Sequence, residues 1–137
     1  MADNCIFCKI AAGQIPSVKI YEDENVLAFL DIGPISDGHT LVIPRQHYTK
    51  LHECPPQVLA CVASVLPKVA SAVFGAMEAD GYNVLCNNGK AAGQLVEHLH
   101  FHIIPRKTGD GVFNRWPAFK YPQGKVEEIA EKIRAKL

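Results

Sequence analysis

Residues 97–105 read EHLHFHIIP, with His98, His100 and His102 on alternate positions and Leu99, Phe101 and Ile103 between and after them. Side chains at i, i+2 and i+4 of a strand project from one face. The spacing therefore predicts a β-strand over Val96–Pro105 with its apolar residues on a core, and the imidazoles in a row about 7 Å apart on the opposite, open face. Pro105 has no N–H for the ladder and is expected to close the strand. A merely wet face is served equally well by threonine, lysine or glutamate. Three imidazoles in register point to something bound or attacked there.

Outward from this strand the chain keeps one pattern. A short helix is expected over Cys5–Ala12, with Asn4 as its cap and Gly13 as its stop. Strands follow at Val18–Tyr21, Val26–Asp31 and His39–Pro44, separated by an acidic turn and a loop carrying Gly33-Pro34 and Asp37-Gly38. From Pro55 to about Met77, Leu59, Val62, Leu66, Val69, Val73 and Met77 recur at three-four spacing, which predicts a long amphipathic helix. Pro67 lies inside it and is expected to kink or divide it. A fourth strand is predicted at Asn83–Cys86. A last helix is predicted at Lys125–Leu137, with Val126, Ile129, Ile133 and Leu137 on one face. Helices segregated from a run of hairpin-connected strands mean an α+β fold on an antiparallel five-stranded sheet, with a long helix and a C-terminal helix.

Composition narrows the classes of function. The chain has 137 residues, 48% of them hydrophobic, and a formal net charge of zero with the histidines neutral. That length suits a single domain, residues 1–137, with a real core. With no basic surplus, no nucleic-acid partner is expected. The apolar stretch from Val58 to Met77 carries Pro67 and Lys68 at its middle and reads as a packed helix, so no membrane is expected. The N-terminus lacks the cationic and apolar regions of a secretion signal. Five cysteines, odd in number and unevenly spaced, do not make a disulfide framework, and a cytoplasmic setting is the expectation.

The loop before the histidine strand, CNNGKAAGQLVEH, adds a chemical partner. Gly89 and Gly93 let backbone approach a ligand, Asn87, Asn88 and Gln94 supply neutral donors, and such a loop can cradle phosphate oxygens. An imidazole is a competent nucleophile at phosphorus when one ring nitrogen is free and the other held. In a row of three, the middle one has donating neighbours on both sides, which selects His100.

HLHFHII matches the alternating signature of the histidine triad (HIT) family. The resemblance extends through CIFCKIAAGQIP, YEDENVLAFLDIGPISDGHTLVIPRQHY and NNGKAAGQLVEHLHFHIIPR, and carries the features of the Hint-like, nucleoside phosphoramidase branch. It implies a nucleotide-binding hydrolase that cleaves the α-phosphate linkage of purine nucleotide conjugates through a nucleotidyl-histidine on His100. His102 and His39 would lie beside the phosphate and leaving group. Asn87 and Gln94 would contact phosphate, Asp31 would hold the ribose hydroxyls, and Ile6, Phe7, Ile10, Phe29 and Ile32 would form the base slot. For Ile10 and Phe29, plain core is an equal alternative. Members of this type form homodimers through the long helix and a sheet edge, and the same is expected here.

One position departs from the pattern. Leu95 stands where a serine often helps protonate an amine leaving group. Dinucleoside polyphosphates, or a binding protein with little activity, therefore stay open as alternatives. The pair Cys5 and Cys8 has no strand before it, unlike a thioredoxin-type redox motif, and reads better as half of a structural zinc site. His47 and His98 are the candidate remaining ligands. No organic cofactor is expected. A metal-dependent hydrolase with zinc held by the triad itself is a further, weaker alternative.

Overall fold

The computed structural model describes residues 2–113 and 115–137. Five antiparallel strands, β1 (Lys19–Glu22), β2 (Val26–Leu30), β3 (Thr40–Pro44), β4 (Gly81–Leu85) and β5 (Phe101–Arg106), form one sheet in the order β1-β2-β3-β5-β4. Helix α1 spans Ile6–Ala11, α2 Pro56–Ala76 and α3 Lys125–Arg134. The α+β architecture with its long and C-terminal helices is as the sequence implies.

The central strands explain their own sequences. Val26, Leu27, Ala28 and Phe29 are all buried, because both faces of β2 are covered. Val26, Ala28, Val42 and Ile103 pack under α2 through Val62, Val65, Val69, Ala70 and Val73. Leu27, Phe29, Leu41 and Ile43 pack on the other face against Phe7, Cys8 and Ile10 of α1. A strand buried on both sides reads as a continuous apolar run rather than an alternating one. Each fully buried aliphatic contributes about 1.5–3 kcal/mol.

Several boundaries correct the expectations. β5 begins at Phe101, five residues later than expected, and runs one residue past Pro105. The residues before it bend at Val96–His98, and the Leu99 N–H donates to Tyr48 O at 2.6 Å instead of joining a ladder. The histidine face is not open either: His98 and His100 are buried at 0% and 5% exposure, because α1 lies over them. Helix α1 is capped by Cys5, whose Sγ accepts from the Cys8 N–H, and not by Asn4. Helix α2 runs undivided through Pro67, which faces outward and forfeits only its own N–H bond, while buried residues on either side hold the helix to the sheet. At 21 residues it is long and apolar enough to cross a membrane by length and composition alone, but its inner face is spent on the sheet. Helix α3 stops at Arg134, and its expected apolar face is not buried: Val126 and Ile133 are more than half exposed and Leu137 lies beyond the helix.

Candidate active site

The three imidazoles occupy three different environments. His102 sits in β5, in register with Leu41 on one side and Leu85 on the other. His100 lies just before the strand, its Nδ1 2.6 Å from the carbonyl oxygen of His98. His98 turns its ring away from both, toward Cys5, Cys8 and His47. The evenly spaced row expected from the sequence is therefore broken. The His100 and His102 rings are 4.9 Å apart and stay neighbours, while the irregular backbone before Phe101 sends His98 elsewhere.

Hydrogen bonds fix where the protons sit. A carbonyl oxygen only accepts, so neutral His100 carries its proton on Nδ1 and keeps a lone pair on Nε2. His39 is the opposite case. Its Nδ1 accepts from the Ile35 N–H at 3.2 Å, so its proton lies on Nε2, 2.8 Å from His102 Nδ1 and 3.6 Å from Asp31 Oδ2. His102 Nδ1 then accepts, and its own proton lies on Nε2. That atom is buried with no hydrogen-bond partner among the described residues. The chain Ile35 N–H, His39, His102 therefore ends in a donor, beside an acceptor on His100. Burial pushes the His100 and His39 pKa values below the ordinary histidine range. It takes His102 down to about 4, with the neighbouring His100 and His39 adding to the effect. Burial thus favours the neutral form of both the His100 and the His102 ring.

His100 and His102 line a cavity of about 410 Å³ together with Ile6, Phe7 and Ile10 from α1 and Phe29, Asp31 and Ile32 at the end of β2. Phe7 stands edge-on to His100, with centroids 5.1 Å apart, and to Phe29 at 5.4 Å. Ile10 and Phe29 are not plain core alone. They are buried core and cavity wall at once. Ile32 stands 96% exposed at the lip. Asp31 accepts from the Gly33 N–H through Oδ1. Ile15, Pro16 and Ser17, just before β1, also line the cavity. The sequence reading did not select them. The Ile15-Pro16-Ser17 turn between α1 and β1 was the available signal, and the family-like stretch ended at Pro16.

The glycine loop meets the cavity at Gly93. Gly89 and Gly93, with φ of 89° and 90°, bracket a 3₁₀ turn at Lys90–Ala92 in backbone that side chains rarely adopt. Gln94 is buried and used internally at both ends: Oε1 accepts from the Gly89 N–H at 2.8 Å and Nε2 donates to Thr49 O at 2.7 Å. Asn87 reaches the Gly93 carbonyl at 3.5 Å. Both side chains act on the loop's shape. Leu95 projects 93% exposed at the rim.

Cys5 and Cys8, His47 and His98 converge behind the triad, their ligand atoms all within 4.8 Å of one another. His98 Nδ1 lies 3.3 Å from Cys5 Sγ, 3.6 Å from Cys8 Sγ and 3.3 Å from His47 Nδ1, and Cys8 Sγ lies 3.4 Å from His47 Nδ1. A tetrahedral zinc centre with ligand bonds of about 2.0–2.3 Å separates its ligand atoms by roughly 3.3–3.8 Å, which these distances match. The outer hydrogen bond has the right sense too. His98 Nε2 donates to Pro44 O at 2.8 Å, leaving Nδ1 free to ligate. Asp31, His39 and His102 form a second grouping of possible ligands, but there the sense is wrong. The Ile35 N–H donates to His39 Nδ1, so ligation through Nε2 would require an imidazolate.

A sheet of this topology, with a histidine pair of opposite proton polarity over an apolar slot and a glycine loop, defines a histidine triad protein. Residues 12–109 match the HIT domain family, and the chain belongs to it. It is 43% identical over 141 residues to the adenosine 5′-monophosphoramidase HNT1 of Candida albicans, covering 98% of this chain and 91% of that protein. It is 47% identical over 110 residues to the adenylylsulfatase HINT3 of Arabidopsis thaliana, covering 80% of this chain and 56% of that longer one. Among solved structures, a HIT family member from Bacillus subtilis superposes with a TM-score of 0.92 at 43% identity, covering 98% of both chains. A zinc-bound histidine triad protein from Mycobacterium smegmatis superposes with a TM-score of 0.75 at 42% identity, covering 90% of this chain and 86% of that one.

Proposed function

We propose that this chain hydrolyses the α-phosphate linkage of purine nucleotide conjugates through a nucleotidyl group carried on His100. The observation that carries this reading is the 2.6 Å bond from His100 Nδ1 to the His98 carbonyl, which leaves Nε2 as a lone pair beside an apolar slot and a carboxylate. The base lies in the slot of Phe7, Ile10, Phe29 and Ile32, and Asp31 accepts from the ribose hydroxyls. The loop set by Asn87 and Gln94 faces the phosphate oxygens with its N–H groups. His100 Nε2 attacks the α-phosphorus, forming an N–P bond as the bond to the leaving group breaks. His102 gives the leaving group its Nε2 proton, and the His39 Nε2–H, beside Asp31, stabilises the His102 ring. Water then attacks the phosphorus and passes a proton back to His102 Nε2, and His100 leaves with its lone pair restored.

The named activity of the HNT1 relatives supports phosphoramidates as the substrate class. A second reading rests on Leu95, which has no proton to give. Leaving groups that depart as anions, such as a polyphosphate, need none. A comparison of adenosine 5′-phosphoramidate with diadenosine polyphosphates separates the two by kcat/KM. Replacing His100 with Ala should reduce turnover by roughly 10³-fold or more while nucleotide binding survives. Undiminished turnover in that variant would refute the reading.

Cys5, Cys8, His47 and His98 would hold a structural zinc ion, which supplies no catalytic chemistry and ties α1 to the sheet. The zinc-bound relative and the tetrahedral spacing support this. A homodimer is part of the same proposal. β4 is an edge strand with Tyr82 and Val84 nearly half exposed, and Phe74 of α2 packs edge-on to Tyr82 beside them. Such an edge with apolar neighbours suits pairing with a second copy.

A further inference from the structure

The slot proposed for the base is lined mostly by apolar side chains, with one polar exception just before β1, beside the end of β2 that carries Asp31. Ser17 lines it, and its Oγ is shut off from bulk water without a hydrogen-bond partner among the described residues. A buried hydroxyl left unpaired is costly, and native structures keep few such groups without a use. The other unpartnered buried side-chain atom among the described residues is Nε2 of His102, a residue that lines the same cavity. The two orphans therefore belong to one site. His102 Nε2 faces the reacting phosphate, and Ser17 has no part in that chemistry.

We propose that Ser17 is the residue that reads the nucleobase, by a hydrogen bond from its hydroxyl to a polar edge of the bound purine. Shape alone lets Ile10, Ile15, Phe7 and Phe29 accept any flat bicyclic ring. An apolar slot discriminates weakly between isosteres, whereas a buried polar group that must find a partner rejects a ligand lacking one. A serine hydroxyl suits this role because it both donates and accepts, and its side chain turns between staggered rotamers at small cost. It can therefore serve a ring nitrogen, an exocyclic amine or a carbonyl, which favours purines over an apolar isostere without choosing one purine strictly.

This inference rests on the nucleotide reading above, and the test keeps the two apart. Equilibrium binding of AMP, GMP and indole ribonucleoside 5′-monophosphate, a bicyclic nucleotide with no polar base edge, is measured for the wild type and Ser17→Ala. The wild type should favour AMP over the indole nucleotide, and Ser17→Ala should reduce that preference by about 3- to 10-fold without weakening the indole nucleotide. Its melting temperature should stay level or rise, because an unpaired hydroxyl has been removed from a buried place. An unchanged preference, equal weakening of every ligand, or a lowered melting temperature would each overturn the role of Ser17. Failure of the wild type to bind any of the three would instead overturn the nucleotide site.

Discussion

His100 and His102 are the same residue type two positions apart, yet the fold gives them opposite proton polarity. The His98 carbonyl forces the His100 proton to Nδ1, and the relay from Ile35 through His39 forces the His102 proton to Nε2. Burial keeps His102 neutral down to about pH 4, against an ordinary value of 6.5. Because its folded pKa is depressed, the unfolded chain takes up the proton first as pH falls. The stability associated with neutral His102 is thus fully present above 6.5 and is lost progressively between 6.5 and about 4. Imidazole NMR should find His102 neutral and protonated on Nε2 at pH 5.5, with unfolding free energy declining across that window. Titration of His102 near 6.5 would contradict the relay. The histidines themselves are legible in the sequence, and so is His100 as the candidate for attack. The proton positions are not, because the groups that set them, Ile35 N and His98 O, are backbone atoms brought into place only by folding.

Helix α1 is six residues long, too short to persist alone. It is held by the burial of Phe7, Cys8 and Ile10 and by the Cys5–Cys8–His47–His98 cluster, and it supplies one wall of the cavity beside His100 and His102. Purified protein should contain one zinc per chain. With free metal about 1,000-fold above its dissociation constant, chelation should cost about 4 kcal/mol, a melting-temperature drop of roughly 10 °C or more. Full stability after complete metal removal would exclude the structural role. The cluster was readable from Cys5 and Cys8 because their spacing left too few neighbouring ligands and pointed to distant histidines. The start of β5 was not readable. The alternation of EHLHFHIIP continues through residues whose backbone bonds elsewhere, as the Leu99 N–H does to Tyr48. Side-chain periodicity cannot report that choice. In α2 the expected stripe was broadly right, with Val65 and Ala70 buried more deeply than Leu59 and Met77 at its ends.

At the scale of the molecule, apolar surface is left over. Tyr82 and Val84 on the β4 edge, Phe74 beside them, and Trp116, Phe119 and Ile133 toward the C-terminus are all exposed. The pattern of α3 shows which face wants a partner, but a sequence does not say whether its own chain provides one. For the β4 edge, the dimer predicts that sedimentation finds two copies per particle and that Val84→Asp yields monomer at micromolar concentration. A wild-type monomer would contradict it.

The α-phosphate chemistry is tested most directly by quenching the protein during turnover of adenosine 5′-phosphoramidate and locating any covalent nucleotide by mass spectrometry under conditions that spare N–P bonds. The expected result is a nucleotidyl group on His100 and none in His100→Ala. A nucleotide carried by another residue, or turnover surviving undiminished without His100, would contradict the central claim.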